Sequence, residues 1–394
     1  MTADRLPPTD GAAAERSAGL VALIRTEIER SPEGWISFAR FMEMALYEPR
    51  LGYYRQTSDR PTDAGDFLTA PETHPIFGWT IARRIETMWA ELDRPRPFSL
   101  IEYGAGSGTL ALSILEGFRR HGSIDLLDDV RYQPIESSPN RLTDLSRRFD
   151  EAGLAGVLDF GAEPPAMLAA GVVLANEFLD ALPVHRVVFR DGKLLELYVV
   201  WRDRFAEIAA QPSTPELAQR LADDGVTGHL AEGQVAEICL GLAPWLDDVD
   251  RRLARGHILA IDYGYDAAEL YGPRRLAGTL LGYRGHRVVE NPFVDPGLTD
   301  LTAHVDFTAV AQLAARRGFS DQHLATQQEF LVAAGLESEL QALQASPDLT
   351  LAEYTRARSG LVRMLDPRHM GRFRVLVMDR REPPGRPSTV TKDG

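Results

Sequence analysis

The stretch 98-FSLIEYGAGSGTLALSIL-115 runs from an apolar segment through three glycines at alternate positions straight into residues with helical spacing. Parallel strands cannot be joined by a tight hairpin, so a strand that turns directly into a helix predicts a crossover unit. The alternation continues downstream. VRYQPIE, GVLDF, GVVLANE, HILAIDYG and a closing pair around Ser320 to Thr326 and Phe373 to Arg380 read as strands, and helical patterns fall at 108–121, 139–152 and 304–317. This order predicts an α/β chain with a mostly parallel, doubly wound sheet covered on both faces.

The remaining segments are unequal. Leu20, Leu23, Ile24 and Ile28 share one helical face, as do Phe38, Phe41, Met42 and Ala45. Residues 49–75, rich in Pro, Gly, Asp and Thr, read as a long loop, and its Tyr53, Tyr54 and Phe67 favour a functional one. A hairpin turning at Asp191-Gly192 opens an interruption over 190–255, and a second, mainly helical, covers 328–370. The expected layout is a disordered start over 1–16, a helical cap and lid segment over 17–97, a main domain over 98–380 carrying both insertions, and a disordered tail over 381–394.

Composition removes several function classes. A formal net charge of -14 argues against nucleic acid, which needs clustered Lys and Arg, but suits a basic protein partner steered by an acidic surface. Cys239 is the only cysteine, and no His/Asp/Glu set has ligand spacing, so neither a disulfide nor a metal site is expected. The first twenty residues lack a signal-peptide core and no run reaches the roughly 18 apolar residues of a membrane span, so the expected location is cytoplasmic.

The glycine loop narrows the ligand. A dinucleotide fingerprint needs glycine at position 109, where Thr109 stands, and a P-loop needs a lysine that the loop lacks. An S-adenosylmethionine loop remains, with a ligandless strand-helix turn as the alternative. Gly104, Ala105, Gly106 and Gly108 would bring backbone close to the ligand, and the helix N-terminus would offer N–H groups to its carboxylate. Glu102 at the strand end would position the ligand's ammonium group or the loop. Glu136, followed by Ser137, ends the next strand beside the loop, where a carboxylate can accept ribose hydroxyls. Asp159 and Phe160 end a further strand and are candidates for adenine contact. Asn176 and Glu177 end the strand after that, and Asp180 follows, placing two carboxylates and an amide near the transferable methyl group. Helix capping by Asn176, with acids in the first turn, is the plain alternative.

Four ordered segments, GDFLTAPETHPIFG, LIEYGAGSGTL, NEFLDALPVHR and GYRGHRVVENPFVDPGLTDLTAHVDFT, resemble the MidA-type family of S-adenosylmethionine-dependent methyltransferases. The resemblance spans Ile36 to Arg380. It implies a class I methyltransferase, Rossmann-like, with a seven-stranded sheet, an antiparallel final pair and helical insertions over the active site. It implies S-adenosyl-L-methionine held by the glycines and by Glu136, and a lid segment of Thr69, Ala70, Pro71 and Glu72 closing from the N-terminal side. The family includes an assembly factor of mitochondrial complex I that symmetrically dimethylates an arginine of a complex I subunit, so a protein partner of that kind is implied. The chain departs from the family in two places. Gly-Ala-Gly-Ser-Gly-Thr replaces the usual Gly-Pro-Gly-Arg-Gly-Thr, and Ala70 replaces a serine.

An arginine acceptor needs carboxylates, since a guanidinium is oriented and stabilised by bidentate acids. Glu177 and Asp180 are the expected catalytic pair, ahead of Asp66 and Glu72. His304 reads as a structural histidine, Asp306 as the cap of the helix that follows, and Arg284 and Arg287 as either partner contacts or a solvated turn. A small-molecule acceptor, or a cofactor-binding assembly scaffold without turnover, are the other readings, because fold alone does not name the acceptor.

Overall fold

A computed structural model describes residues 11–55, 69–161, 167–228 and 230–381. Its centre is a six-stranded sheet: β1 (Phe98–Tyr103), β2 (Val130–Ile135), β3 (Leu168–Asn176), β4 (Leu253–Asp262), β5 (Asp321–Thr326) and β6 (Arg374–Arg380). Their spatial order is β5-β6-β4-β3-β1-β2. β2, β1, β3 and β4 run parallel, and β6 is antiparallel to both of its neighbours. The chain therefore starts in the middle of the sheet and reverses direction there. That reversal opens a crevice at the carboxyl ends of β1 and β3, where a doubly wound sheet binds its ligand.

Alternation along β1 divides the core. Leu100 packs with one cluster and Ile101 and Tyr103 with the other, as a two-residue period on a sheet covered on both sides requires. The expected seventh strand, GVLDF, is a correction: among the described residues its ladder is a single parallel bridge between Leu158 and Tyr132. Asp159 turns the chain there, since its Oδ1 accepts from Gly161 N at 2.9 Å and its Oδ2 from Gln133 Nε2 at 2.9 Å. A side chain that satisfies local donors in this way competes with a continuing ladder.

Two N-terminal helices, α1 (Gly11–Arg30) and α2 (Phe38–Tyr47), build a separate layer. α1 begins at Gly11, so the disorder expected up to residue 16 does not hold for 11–16; the rest of that stretch and the tail from 382 lie outside the described residues. Leu20, Ile24, Phe38, Phe41 and Met42 are fully buried against Val184, Val199 and Phe205. Between the helices, Ile36 and Ser37 pair with Val199 and Tyr198 of a second, antiparallel sheet. That sheet comes from the first insertion. Its hairpin, His185–Arg190 with Lys193–Trp201, turns at Asp191 (φ 51°) and Gly192 (φ 70°), as the Asp-Gly signal predicts. Strands Phe205–Ala210 and Val235–Ile238 complete it, so the insertion is more β-rich than a hairpin followed by helix.

The long loop re-enters the described residues at Thr69 with a one-turn helix, α3 (Ala70–Thr73), followed by α4 (Ile76–Glu91). Helix α5 (Thr109–His121) leaves the glycine loop and lies against α4. A Cβ on Gly78 would stand 2.3 Å from that of Ser113, so only glycine lets the two helices approach this closely. The second insertion is three helices, Gln327–Ala333, Leu336–Gln344 and Leu351–Leu365. Among the described residues no helix is long and apolar enough to cross a membrane.

Candidate active site

The glycine loop sits at the carboxyl end of β1, and its three glycines all have positive φ: 70° at Gly104, 54° at Gly106 and 76° at Gly108. They are glycines for different reasons. A Cβ on Gly104 would reach 3.1 Å from the Phe178 ring, and one on Gly108 would be 3.0 Å from Leu145 and Phe149, so packing enforces both. At Gly106 the nearest atom to such a Cβ is the Gly104 carbonyl oxygen at 4.0 Å. The protein leaves that space open, as a cradle for a ligand requires. Arg148 braces the loop from behind: its Nη1 donates to Ser107 O at 2.8 Å, Ser107 Oγ at 2.7 Å and Thr109 Oγ1 at 2.9 Å. Nothing in the local spacing of Arg148 marks this role.

Glu136 stands beside the loop as its position at the end of β2 predicts. Its Oε2 accepts from Gly106 N at 3.0 Å and its Oε1 from Ser138 N at 2.8 Å, so the same carboxylate shapes the cradle and faces it. Ser137 is exposed, and its carbonyl accepts from Arg55. Glu102 lies deeper, only 4% exposed, with Tyr132 Oη donating to it at 2.6 Å. Burial pushes the Glu102 carboxyl up to about 7, against the pull of the tyrosine hydrogen bond. Of the adenine candidates, Phe160 is exposed and the Asp159 carboxylate is occupied by Gln133 and Gly161.

On the other side of the crevice, β3 ends in Asn176 and Glu177 and passes into a short 3₁₀ turn, Leu179–Ala181. Asn176 does not cap that turn. Its Oδ1 is buried without a partner, while its Nδ2 donates to Glu177 Oε1 at 3.5 Å. Glu177 has φ 47°, a left-handed conformation that costs a side chain with Cβ about 1 kcal/mol or more. Its Oε1 accepts from Ala70 N of α3 at 3.2 Å, and its Oε2 is buried without a partner. Asp180 is 6% exposed; Tyr263 Oη donates to its Oδ2, and its Oδ1 has no partner. Burial, and next the Asp180 charge, push Glu177 up to about 8; burial raises Asp180 to about 6 against the Tyr263 hydrogen bond.

A third acid, absent from the sequence reading, completes this corner. Asp262 ends β4 fully buried, and its Oδ2 accepts from the backbone N–H groups of Phe178, Leu179 and Asp180 at 3.2, 2.9 and 3.2 Å. An acid directly after HILAI at a strand end was the available signal.

Among the described residues, α3 meets the acid corner through Ala70 N, which donates to Glu177 Oε1. Glu72 is turned the other way: its Oε2 accepts from Thr69 N and Thr69 Oγ1, both at 3.0 Å, as a capping box that starts α3, with Pro71 buried in its first turn. Asp66 and Phe67 lie outside the described residues. The outer wall comes from far along the chain, where Tyr47 Oη donates to Ala181 O at 2.9 Å and Tyr54 Oη to Asp300 Oδ1 at 2.8 Å. His304 packs on the rings of Tyr263 and Tyr265, both at 5.4 Å, a structural placement, but its Nδ1 is buried without a partner. Burial, and then the charge of Arg372, lower it to about 4, which keeps the ring neutral. Asp306 caps the helix Phe307–Ala315 by accepting from Ala309 N at 3.0 Å, and Arg284 pairs with Asp295. Among the described residues no group of three or more His, Cys, Asp or Glu could hold a metal ion.

The residues fit a nucleoside-sulfonium cofactor carrying a carboxylate: an open space at Gly106, an acid beside it, and the orphaned oxygens of Asn176 and Glu177 across the crevice. Comparison with known proteins agrees. Residues 80–324 match the model of a family described as "Putative S-adenosyl-L-methionine-dependent methyltransferase". A COG1565 superfamily member from Burkholderia thailandensis, solved with S-adenosyl-homocysteine bound, is 31% identical with a TM-score of 0.83, covering 97% of each chain. The mitochondrial protein arginine methyltransferase NDUFAF7 homolog of Drosophila melanogaster is 30% identical over 380 residues, 88% of this chain and 82% of that one. Its Danio rerio counterpart is 27% identical over 346 residues, 80% and 76% of the two chains. These relatives are named as mitochondrial, which overturns the cytoplasmic expectation. With the fold, the cradle and these likenesses in agreement, the chain belongs to the S-adenosylmethionine-dependent methyltransferase family, with S-adenosylmethionine as its cofactor.

Proposed function

We propose that this protein methylates an arginine of a protein partner, and that the partner is a subunit of a respiratory complex I-type assembly. The observation that carries the arginine reading is the pair of buried, unpartnered carboxylate oxygens, Glu177 Oε2 and Asp180 Oδ1, on one turn at the crevice. Buried acids without partners are costly, and a guanidinium offering several N–H donors is the side chain that satisfies two of them together. The relatives named as protein arginine methyltransferases support the same reading. The partner itself rests on the MidA-type resemblance.

In this scheme Gly104, Ala105, Gly106, Gly108, Glu136, Ser137, Glu102, Asn176 and Glu177 line the cofactor, Glu177 standing between it and the acceptor, and Thr69, Pro71 and Glu72 form the edge that closes on it. The cofactor supplies an electrophilic methyl group on a cationic sulfur. The chain's own contribution is positioning, exclusion of water, and proton handling. Glu177 and Asp180 orient the guanidinium so that one nitrogen faces the cradle. That nitrogen must give up a proton as it gains a carbon, and Glu177 Oε2 receives it, its proton affinity being raised by burial and by Asp180. Tyr47 and Tyr54 close the outer side. We also read residues 17–97 as a cap and lid, and the two insertions as the surface that meets the partner.

The test is the purified protein, with methyl-labelled cofactor, added to extract from cells lacking this chain, against the same extract without the protein. Label recovered as methylarginine after hydrolysis of the protein fraction is the expected result; label in an extractable small molecule sinks the arginine reading. With an arginine peptide as acceptor, kcat/KM should climb with pH through about 8 as Glu177 ionises, and E177Q should lower kcat by at least about a hundredfold, the lower range of general-base contributions.

A further inference from the structure

Asp262 and Tyr263 are adjacent at the end of β4, yet each holds a different part of the same acid-bearing turn. The Asp262 carboxylate accepts four backbone N–H groups, three through Oδ2 from Phe178, Leu179 and Asp180, and one through Oδ1 from Tyr263 N at 2.9 Å. Those three consecutive N–H groups belong to the entry of a 3₁₀ turn, which no residue of β3 caps. The Tyr263 hydroxyl donates to Asp180 Oδ2 and so selects Oδ1 as the oxygen left over. Glu177 N is tied to β4 as well, donating to Ile261 O at 2.8 Å. Among the described residues the backbone N–H groups of Glu177 to Asp180 thus all donate to Ile261 or Asp262, while Asp180 O accepts from Ala303 N at 3.1 Å and Leu179 O from Leu182 N at 3.2 Å.

We propose that Asp262 and Tyr263 are positioning residues for methyl transfer: Asp262 sets the path of the Glu177–Asp180 turn through its backbone, and Tyr263 sets the Asp180 carboxylate, so that Glu177 Oε2 and Asp180 Oδ1 converge on the acceptor. This rests on the reading of those two acids as the acceptor site. A long, flexible carboxylate pair would spread over many rotamers; a turn held by a buried acid and a buried phenol delivers both oxygens in one arrangement, which is what an in-line displacement needs. The titratable groups facing this corner are Glu177 and Asp180 on the turn, Asp262 at the end of β4 and Tyr263 after it, Tyr47 of α2, and Tyr54, Tyr283 and Asp300, with the Glu72 charge acting on Glu177 from α3 and His304 against the Tyr263 ring.

Two variants of the full chain test it. In Y263F the phenol's hydrogen bond to the Asp180 carboxylate is gone, so carboxyl carbon-13 NMR should show the Asp180 titration midpoint rising by about one pH unit; a midpoint that stays put overturns the role of Tyr263. In D262N an amide donor replaces one acceptor oxygen, and hydrogen exchange at the Phe178, Leu179 and Asp180 amides should speed up at least about tenfold relative to amides of β1 and β3. Unchanged exchange overturns the role of Asp262. S-adenosylhomocysteine affinity should stay within about threefold of wild type in both, because the Gly106 cradle is untouched. With an arginine peptide, both variants should lose at least about tenfold in kcat while KM for the cofactor holds. A wild-type chain that methylates no arginine peptide removes the arginine reading, while the NMR and exchange results still decide the positioning roles.

Discussion

At the scale of single residues, the three loop glycines separate binding from folding. G106V places a branched side chain at φ 54°, which strains the backbone, and also fills the space left for the ligand: S-adenosylhomocysteine affinity by calorimetry should drop at least about tenfold, or about 1.4 kcal/mol. G108A, by contrast, drives a methyl against Leu145 and Phe149 and should lower the melting temperature whatever the ligand. Glu177 makes a third case. Its carboxyl is raised to about 8 in the fold, so its favourable contribution is complete below the unfolded value near 4.5 and is lost as pH rises through 8. E177Q should therefore raise the melting temperature of the unliganded protein more at pH 9 than at pH 5; equal shifts would mean that Glu177 is not held protonated. Much of this site was legible, because strand-end acids and alternating glycines advertise themselves locally. Asp262 was not, since the turn it holds lies 83 residues away in sequence and only the sheet brings them together. Arg148 was invisible for the same reason.

Among elements, the best-read parts were those whose pattern is self-contained. The Asp-Gly hairpin and the helices Thr109–His121 and Pro139–Glu151 fall within a residue of where spacing put them. The strand expected at GVLDF shrank to one bridge because a side chain, Asp159, turned the chain, and apolar runs carry no sign of that. The second insertion shows how a helix with little local signal is held by charge. Glu339, 1% exposed, takes His121 Nε2 at 2.8 Å and also pairs with Arg83, while His121 Nδ1 meets Glu86 at 2.9 Å, joining Leu336–Gln344 to α4 and α5. Burial lowers the His121 pKa, but the hydrogen bonds its ring donates to Glu339 and Glu86 win and carry it up to about 9. Stability from this link is complete below the histidine's ordinary 6.5 and fades as pH rises through 9. E339A should cost roughly 2–3 kcal/mol in urea unfolding at pH 6, after discounting Arg83 at 36% exposure, and distinctly less at pH 10.

For the whole molecule, ligand linkage gives the simplest check on a shared site. S-adenosylhomocysteine at about a hundred times its Kd should add about 2.7 kcal/mol to stability, seen as a higher melting temperature, and G106V, binding at least about tenfold more weakly, should keep no more than about 1.4 kcal/mol of that gain. The doubly wound core was foreseeable from its strand-helix rhythm. The union of the N-terminal helices with the first insertion was not, because pairing of Ile36 with Val199 leaves no mark on either segment alone. That union has a consequence for synthesis. Leu20, Ile24, Phe38 and Phe41 bury themselves against residues 184–205 and 301–303, and Tyr54 waits for Asp300, 246 positions later. At roughly 5–20 residues per second, Tyr54 stands without Asp300 for about 12–50 s after it is made. The apolar faces of α1 and α2 are made well before the residues that shelter them, so newborn molecules should depend on chaperones in a way that the finished enzyme does not.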